Sequence, residues 1–336
     1  MNWGKKIARH FVFPTILMLK GDKIMRFLSR HSILNLVYHG VVEKDSSFFS
    51  PRHIQRDVFE KQMQYISENF DVIFLTDAFN LYRNNIIPKR KTVTISFDDG
   101  YLNNLQVALP VLEKYKIKTT FFISGVCAEK SNMPLLWADI IAALKLFTAN
   151  TTIVIGDRSF YNLIDVNTGE HLVDLVKKMG VIERDVLLER ICSEFCIKDK
   201  LVKIPSEIWA LMQEKDIRKL SFSPYVEIGS HGYLHYNYNY IQLVDTQQDM
   251  IKSKQILENT LGKEINMIAY PDGGYDNNVK EKAFETGYIN QLAVNYMNEA
   301  DMFDKNILNR HGVSATTNYE SGIFYINKAF INKAFN

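Results

Sequence analysis

The chain has 336 residues, of which 46% are apolar and 23% charged, a composition that excludes a disordered, collagen-like or multi-span membrane chain. Forty basic against 38 acidic side chains leave a formal charge of +2, so no global field recruits a polyanion, and nucleic acid is not an expected partner. Cys127, Cys192 and Cys196 are an odd count without C-x-x-C spacing, which fits reduced thiols better than a disulfide framework or a zinc knuckle.

At the N-terminus, Lys5, Lys6 and Arg9 precede an apolar run from Phe11 to Leu19, the layout that opens a secretory signal. Pro14 interrupts the run, Lys20, Asp22 and Lys23 follow it, and no A-x-A-like cleavage site appears, so a cytoplasmic protein is expected. Residues 1–31 carry seven Lys or Arg against the single Asp22. That basic, partly apolar segment suits peripheral contact with an anionic membrane, the inner face being the expected one, and equally suits a solvated first helix packed on the domain.

From residue 32 two periods alternate, the mark of an α/β architecture. Ile33 to Tyr38 reads as a buried strand delivering His39-Gly40, and Phe59, Met63, Ile66 and Phe70 place one apolar stripe on a helix. Val72 to Leu75 reads as a short strand with a helix from Asp77, and Lys91 to Phe97 as a strand ending in Asp98-Asp99-Gly100. Leu105, Ala108, Leu109 and Leu112 mark a helix strained at Pro110, and Thr119 to Ile123 reads as another strand. Residues 131 to about 222 break the rhythm with helical patterns and a β-like stretch at Thr151 to Ile155, an insertion or cap.

The alternation resumes with a strand from Tyr225 to Ser230, which leads into His231-Gly232-Tyr233-Leu234-His235. Thr246 with Asp249 reads as a capping box for a helix running to Leu261, with Gly262 at its αL end. Ile265 to Tyr270 reads as a strand ended by Pro271-Asp272-Gly273-Gly274. A helix closing at Gly287 and a strand from Ile289 to Val294 follow. The tail holds a five-residue tandem copy, 326–330 and 331–335, expected as a terminal helix without functional weight. The expected domains are a basic segment 1–31, a barrel over 32–320 interrupted by the insertion, and a tail 321–336.

Parallel strands alternating with helices gather functional residues at their C-terminal ends. Tyr38-His39, Asp98-Asp99, His231 with His235, and Tyr270-Pro271-Asp272 each follow an apolar strand directly. Imidazoles plus one carboxylate are the ligands that a borderline divalent ion takes, and Asp98 or Asp99 with His231 and His235 supplies them. Each cluster alone reads as well as a surface turn; their shared position at strand ends favours the metal site. Two adjacent aspartates permit one to bind metal while the other accepts a proton, and the natural reaction is hydrolysis of an amide or ester.

The stretch Thr94 to Tyr101 resembles the T-F-D-D-G-Y motif of the polysaccharide deacetylases, carbohydrate esterase family 4 or the NodB homology domain. Glu227 to His235 is similar to that family's S-H-(T/G)-x-x-H motif, with three residues between the histidines here, and Ala269 to Tyr275 to its A-Y-P-Y-G form. The resemblance implies an irregular seven-stranded (β/α) barrel and removal of an N-acetyl group from an amino sugar, in a polysaccharide or a lipid- or nucleotide-linked precursor. It implies one divalent ion on Asp99, His231 and His235, with zinc favoured over cobalt, nickel, manganese or iron. It makes Asp98 the general base and His39 the general acid, and it puts the backbone N–H of Asp272, with Tyr270 and Pro271 beside it, at the oxyanion and substrate position.

Three departures stand out. Ala269 replaces the usual base-orienting arginine, Asp272 stands where an aromatic is common, and the insertion is long. Arg310 is a candidate for the family's late arginine, equally read as a structural ion pair, and His311 is a weaker candidate for the acid. Trp137 and Trp209 read as core first and sugar-stacking platforms second. A hydrolase of a non-sugar amide or formyl group, and a non-catalytic carbohydrate-binding relative, are the alternatives.

Overall fold

The computed structural model describes residues 7–28, 33–129, 134–313 and 318–331. Lys5 and Lys6, the first residues of the insertion and most of the second tandem copy lie outside the described residues.

Seven strand positions form a parallel sheet in which chain neighbours are also spatial neighbours. They are β1 (Ile33–Tyr38), β2 (Thr92–Phe97), β3 (Thr119–Ile123), β4 (Val226–Ser230), β5 (Met267–Ala269), β6 (Asn290–Ala293) and β7 (Ile307–Asn309), which Arg310 separates from a short β8 (His311–Gly312). β7 pairs with β6 while β8 pairs with β1, with Ala293 opposite Asn309 and Leu36 opposite His311. The last strand therefore changes partner at Arg310 and joins the two sheet edges, giving a nearly closed barrel. Closure removes the exposed edges that an open sheet leaves unpaired.

Strand alternation sorts side chains between two layers. Tyr38, Phe97 and Phe121 stack across β1, β2 and β3 and meet Phe59 of helix α1 (Arg56–Asn69). Inside, Phe122, Met267, Ala269, Leu292 and Leu308 share an apolar cluster with Leu75, Ala78 and Phe79 of the helix Leu75–Arg83. That helix begins at Leu75, so the strand before it is only Asp71–Val72, shorter than its β-like pattern predicts. The strain expected at Pro110 is a change of helix type: a π-helical segment, Asn104–Ala108, precedes an α-helix whose second residue is Pro110. The proline lacks an N–H, and the wider turn before it accommodates that loss.

The insertion carries the three-stranded antiparallel sheet Thr152–Ile155, Arg158–Tyr161 and Ile164–Asp165, and five α-helices. Its apolar side chains form a core of their own, with Trp137, Trp209 and Phe160 among them. Both tryptophans are buried, so they act as core groups rather than open stacking platforms. The C-terminal helix Tyr319–Ala329 packs on the barrel through Phe330, which stacks on Phe70 at 5.3 Å. No helix among the described residues is long and apolar enough to cross a membrane.

Candidate active site

Because Phe97 faces outward, alternation turns Ser96 and Asp98 into the barrel mouth. Arg310 enters from the break in the last strand and meets them. Its Nη1 donates to Asp98 Oδ1 at 2.6 Å and its Nη2 to Oδ2 at 2.9 Å, with a further bond to Ser96 Oγ at 3.2 Å. Both partners are buried. Burial alone would raise the Asp98 pKa, but the Arg310 charge and its paired hydrogen bonds hold it below the usual carboxylate range. Ala269, in the usual arginine position, shares an apolar cluster with Phe122, and the Arg310 guanidinium lies 5.2 Å over that ring. The base-side arginine thus arrives from another strand.

Asp99 turns the other way because its backbone is left-handed, at φ 79°. Of the ten non-glycine residues with positive φ among those described, three are Asp99, His235 and Asp272, all at this mouth. Such conformations cost about 1–3 kcal/mol each and persist where the surrounding structure imposes them. Asp99 Oδ1 lies 3.5 Å from His231 Nε2 and 3.3 Å from His235 Nε2. Neither buried carboxylate oxygen has a hydrogen-bond partner. His231 Nδ1 is 2.8 Å from the carbonyl of Ala269, which only accepts, so the ring proton sits there and the Nε2 lone pair faces Asp99.

Two acceptors facing each other in a buried site suit a shared cation between them. The three donor atoms lie within 4.8 Å of one another, and the one-carboxylate, two-imidazole set suits zinc and its neighbours. Among the described residues the structure therefore fits a divalent ion on Asp99, His231 and His235.

The His231–His235 loop is clamped from beneath. Asp249 accepts from the backbone N–H of Tyr233 at 2.8 Å and Leu234 at 3.1 Å, and from the Tyr238 hydroxyl at 2.7 Å. Gly232, at φ 69°, allows this approach: a Cβ there would sit 2.5 Å from the Tyr238 hydroxyl. This corrects the capping-box reading of Thr246 and Asp249. The helix α2 (Leu243–Leu261) starts three residues before Thr246, with Gln242 as its N-cap, and both residues are buried within it. Gly262 does end it in the left-handed region, at φ 65°.

The insertion supplies the opposite wall. Trp137 opens the helix Trp137–Phe147 there, and its Nε1–H lies 3.2 Å from the His235 carbonyl and 3.3 Å from its Nδ1. Two residues on, Asp139 binds Arg52 Nη2 at 2.5 Å and accepts from the Tyr101 hydroxyl at 3.0 Å. Burial pushes Asp139 up to about 6. Arg52 Nη1 in turn approaches Asp99 Oδ2 to 3.9 Å. Arg184 donates to the carbonyls of Leu234 at 2.9 Å and His235 at 3.3 Å, and Lys177 pairs with Asp272 at 3.5 Å. Sequence reading missed Arg52, Asp139, Arg184 and Lys177. Each is an ordinary charge in its own segment, and only the folded insertion shows what it meets.

Of the remaining site candidates, His39 stands at the end of β1, half-buried, with its carbonyl bonded by Asn104 Nδ2 at 2.8 Å. Burial lowers its pKa, against the pull of the Asp99 and Asp98 charges, so it shares the field of the carboxylates. Burial lowers the His311 pKa, and His311 follows the inward-facing Arg310, so alternation directs it to the outer side of the barrel. Pro271, Asp272 and Gly273 form a 3₁₀ turn at the end of β5, with Asp272 at φ 54°. The Tyr270 side chain departs from its expected substrate role. It is buried, bonded to Gln291 Oε1 at 2.7 Å and stacked on Tyr275 at 5.0 Å, so it packs the barrel instead of facing the mouth.

A nearly closed parallel barrel with acidic and imidazole groups at the C-terminal strand ends is the architecture of a barrel hydrolase. The family model described as polysaccharide deacetylase matches residues 85–180 and 194–290, and the chain belongs to that family. The Bacillus subtilis (strain 168) protein YxkH is 33% identical over 91 residues, 27% of this chain and 31% of that relative, so the match spans about a third of its length. The Streptococcus pyogenes deacetylase PplD, solved in complex with acetate, superimposes with a TM-score of 0.56 at 16% identity, over 87% of this chain and 96% of that one. IcaB from Ammonifex degensii gives 0.54 at 15% identity, over 90% and 99%. These two likenesses establish the fold.

Proposed function

We propose that this protein is a metal-dependent deacetylase that hydrolyses the N-acetyl group of an amino sugar, in a polysaccharide or its lipid- or nucleotide-linked precursor. The observation that carries the reading is the buried Asp99 carboxylate, without a hydrogen bond and faced by two imidazole Nε2 atoms, beside an Asp98 held ionised by Arg310. Asp99, His231 and His235 would hold the ion, zinc by preference. When bound, the ion supplies Lewis acidity that polarises a carbonyl and acidifies water.

The chain's own groups do the rest. Asp98 is anionic at working pH and oriented through both oxygens, so it accepts the proton of the attacking water. His39 donates a proton to the departing nitrogen, and the Asp272 backbone N–H supports the negative charge that develops on the carbonyl oxygen. Arg52, paired with Asp139 of the insertion, and Trp137, bonded to His235, border the Asp99 and His235 side of the mouth. The acetate in the Streptococcus pyogenes structure is the acid this reaction would release, which supports the reading.

Metal analysis combined with acetate release from a panel of N-acetylated sugars and polymers tests it. One bound divalent ion and chelator-sensitive acetate release are expected. A metal-loaded protein that releases no acetate from any of them would overturn the assignment.

A further inference from the structure

The first described helices are built inside out. In Gly21–Leu28, which precedes β1, Asp22 and Arg26 face the domain while Ile24, Phe27 and Leu28 face solvent, Phe27 being 88% exposed. A surface helix ordinarily buries its apolar stripe and exposes its charges. This reversal is held by specific bonds. Arg26 pairs with Asp22 at 2.9 Å and with Asn327 at 3.2 Å, and also meets the Tyr65 hydroxyl, which itself donates to Asp22 at 2.8 Å.

The preceding helical segment is apolar on both sides. Phe13 stacks on Phe324 of the C-terminal helix at 4.3 Å, while Phe11, Thr15, Met18 and Leu19, offsets 0, 4, 7 and 8, are exposed. Thr15 returns its hydroxyl to the Phe11 carbonyl at 2.7 Å, which satisfies its polar group internally. The two helices thus present Phe11, Met18, Leu19, Ile24, Phe27 and Leu28 outward, an apolar surface larger than scattered exposed side chains account for.

Charge selects the occupant. Lys20 and Lys23 are exposed, Lys23 one turn from Phe27 on the same helix face, while Asp22, the single acid of residues 1–31, is buried against Arg26. We infer that this surface docks in the interface of an anionic lipid bilayer, with the apolar side chains at the acyl boundary and the lysines at the headgroups. The docking face rests on Tyr65, late in α1. That helix runs back from the strand ends that carry the site, so docking leaves the mouth open. The inference stands apart from the proposed chemistry.

Flotation of the full chain with phosphatidylcholine vesicles, with and without phosphatidylglycerol, tests it. Binding is expected to the anionic vesicles, weakening as salt shortens the ~10 Å screening length of 0.1 M. Phe27→Asp with Leu28→Asp should lower partitioning at least ~10-fold, and Lys20→Glu or Lys23→Glu by about fivefold or more each. All four positions are exposed, so the unfolding midpoint should hold. Absence of flotation, equal binding by the Phe27→Asp, Leu28→Asp variant, or a solution dimer that this variant dissociates would overturn the inference, the last assigning the surface to a second copy of the chain.

Discussion

Arg310 and Asp98 stand 212 positions apart in the chain, yet their guanidinium and carboxylate meet in a two-pronged pair, Nη1 to Oδ1 at 2.6 Å and Nη2 to Oδ2 at 2.9 Å. The pair forms where the last strand leaves β6 for β1, so barrel closure and orientation of the Asp98 carboxylate depend on one residue. Arg310→Ala leaves a buried charge without its partner and should destabilise the fold by ~3–5 kcal/mol in denaturant titrations. Arg310→Lys keeps the charge but loses the fork, and should recover part of that. The sign with pH follows from the lowered Asp98 pKa. The contribution of the pair is complete above the unfolded carboxylate pKa of about 3.9, and is lost as pH falls through the lower folded value. Asp98→Asn should remove that acid-side slope; an unchanged slope would assign it to other carboxylates.

A second expectation concerns the ion. Binding to the folded state alone stabilises by about 2.7 kcal/mol at a hundred times Kd, so the wild-type unfolding midpoint should rise with added zinc and fall with chelator. His231→Ala removes one donor and frees the Ala269 carbonyl from its ring N–H, and should abolish the metal-dependent shift along with stoichiometric metal. A His231→Ala protein that still binds one ion tightly would show that the donors lie elsewhere.

How much of this was legible depends on sequence distance. Ile33–Tyr38 and Thr119–Ile123 carry their strand character in their own residues, and the three strand-end motifs are contiguous, so both the barrel and the clustering of Asp99, His231 and His235 could be read locally. Asp249 misled for the same reason: its spacing from Thr246 mimics a cap, while its actual partners are Tyr233, Leu234 and Tyr238 on the histidine loop. Arg310 was visible as a candidate, but only closure of the barrel reveals its partner. Arg52 and Asp139 carried no local signal, because their pairing spans 87 positions and depends on how the insertion folds over the mouth.

That pairing makes a third prediction. Asp139 holds Arg52 Nη2 at 2.5 Å, which keeps Nη1 3.9 Å from Asp99 instead of in full contact. Without the Asp139 charge, Arg52 can swing onto Asp99 and compete with the ion. Asp139→Asn should weaken metal affinity by ~10–100-fold, as loss of an outer-sphere partner does. Arg52→Gln in the same chain should restore most of it. Metal titration of the wild type, the two single variants and the double variant measures the coupling, and additive effects would exclude the competition.

The last prediction assigns the proton donor. Amide cleavage needs a proton on the leaving nitrogen, since an amine departs far more readily than an amide anion, whereas an activated ester does not. His39 stands at the end of β1 under the charges of Asp99 and Asp98, while His311 follows the inward-facing Arg310, so strand alternation turns it to the outer side of the barrel. Burial also lowers His39 from its ordinary value near ~6.5, so the imidazolium is the minor form at neutral pH. If that form is the donor, amide turnover should decline as pH rises through a value below ~6.5, and ester turnover should not follow it. His39→Ala should hold its metal, lose most amide turnover, and lose this descending limb, with a much smaller effect on the ester. Equal losses on both substrates would make His39 a structural cap of β1, and full activity in His39→Ala beside an inactive His311→Ala would transfer the role to the last strand.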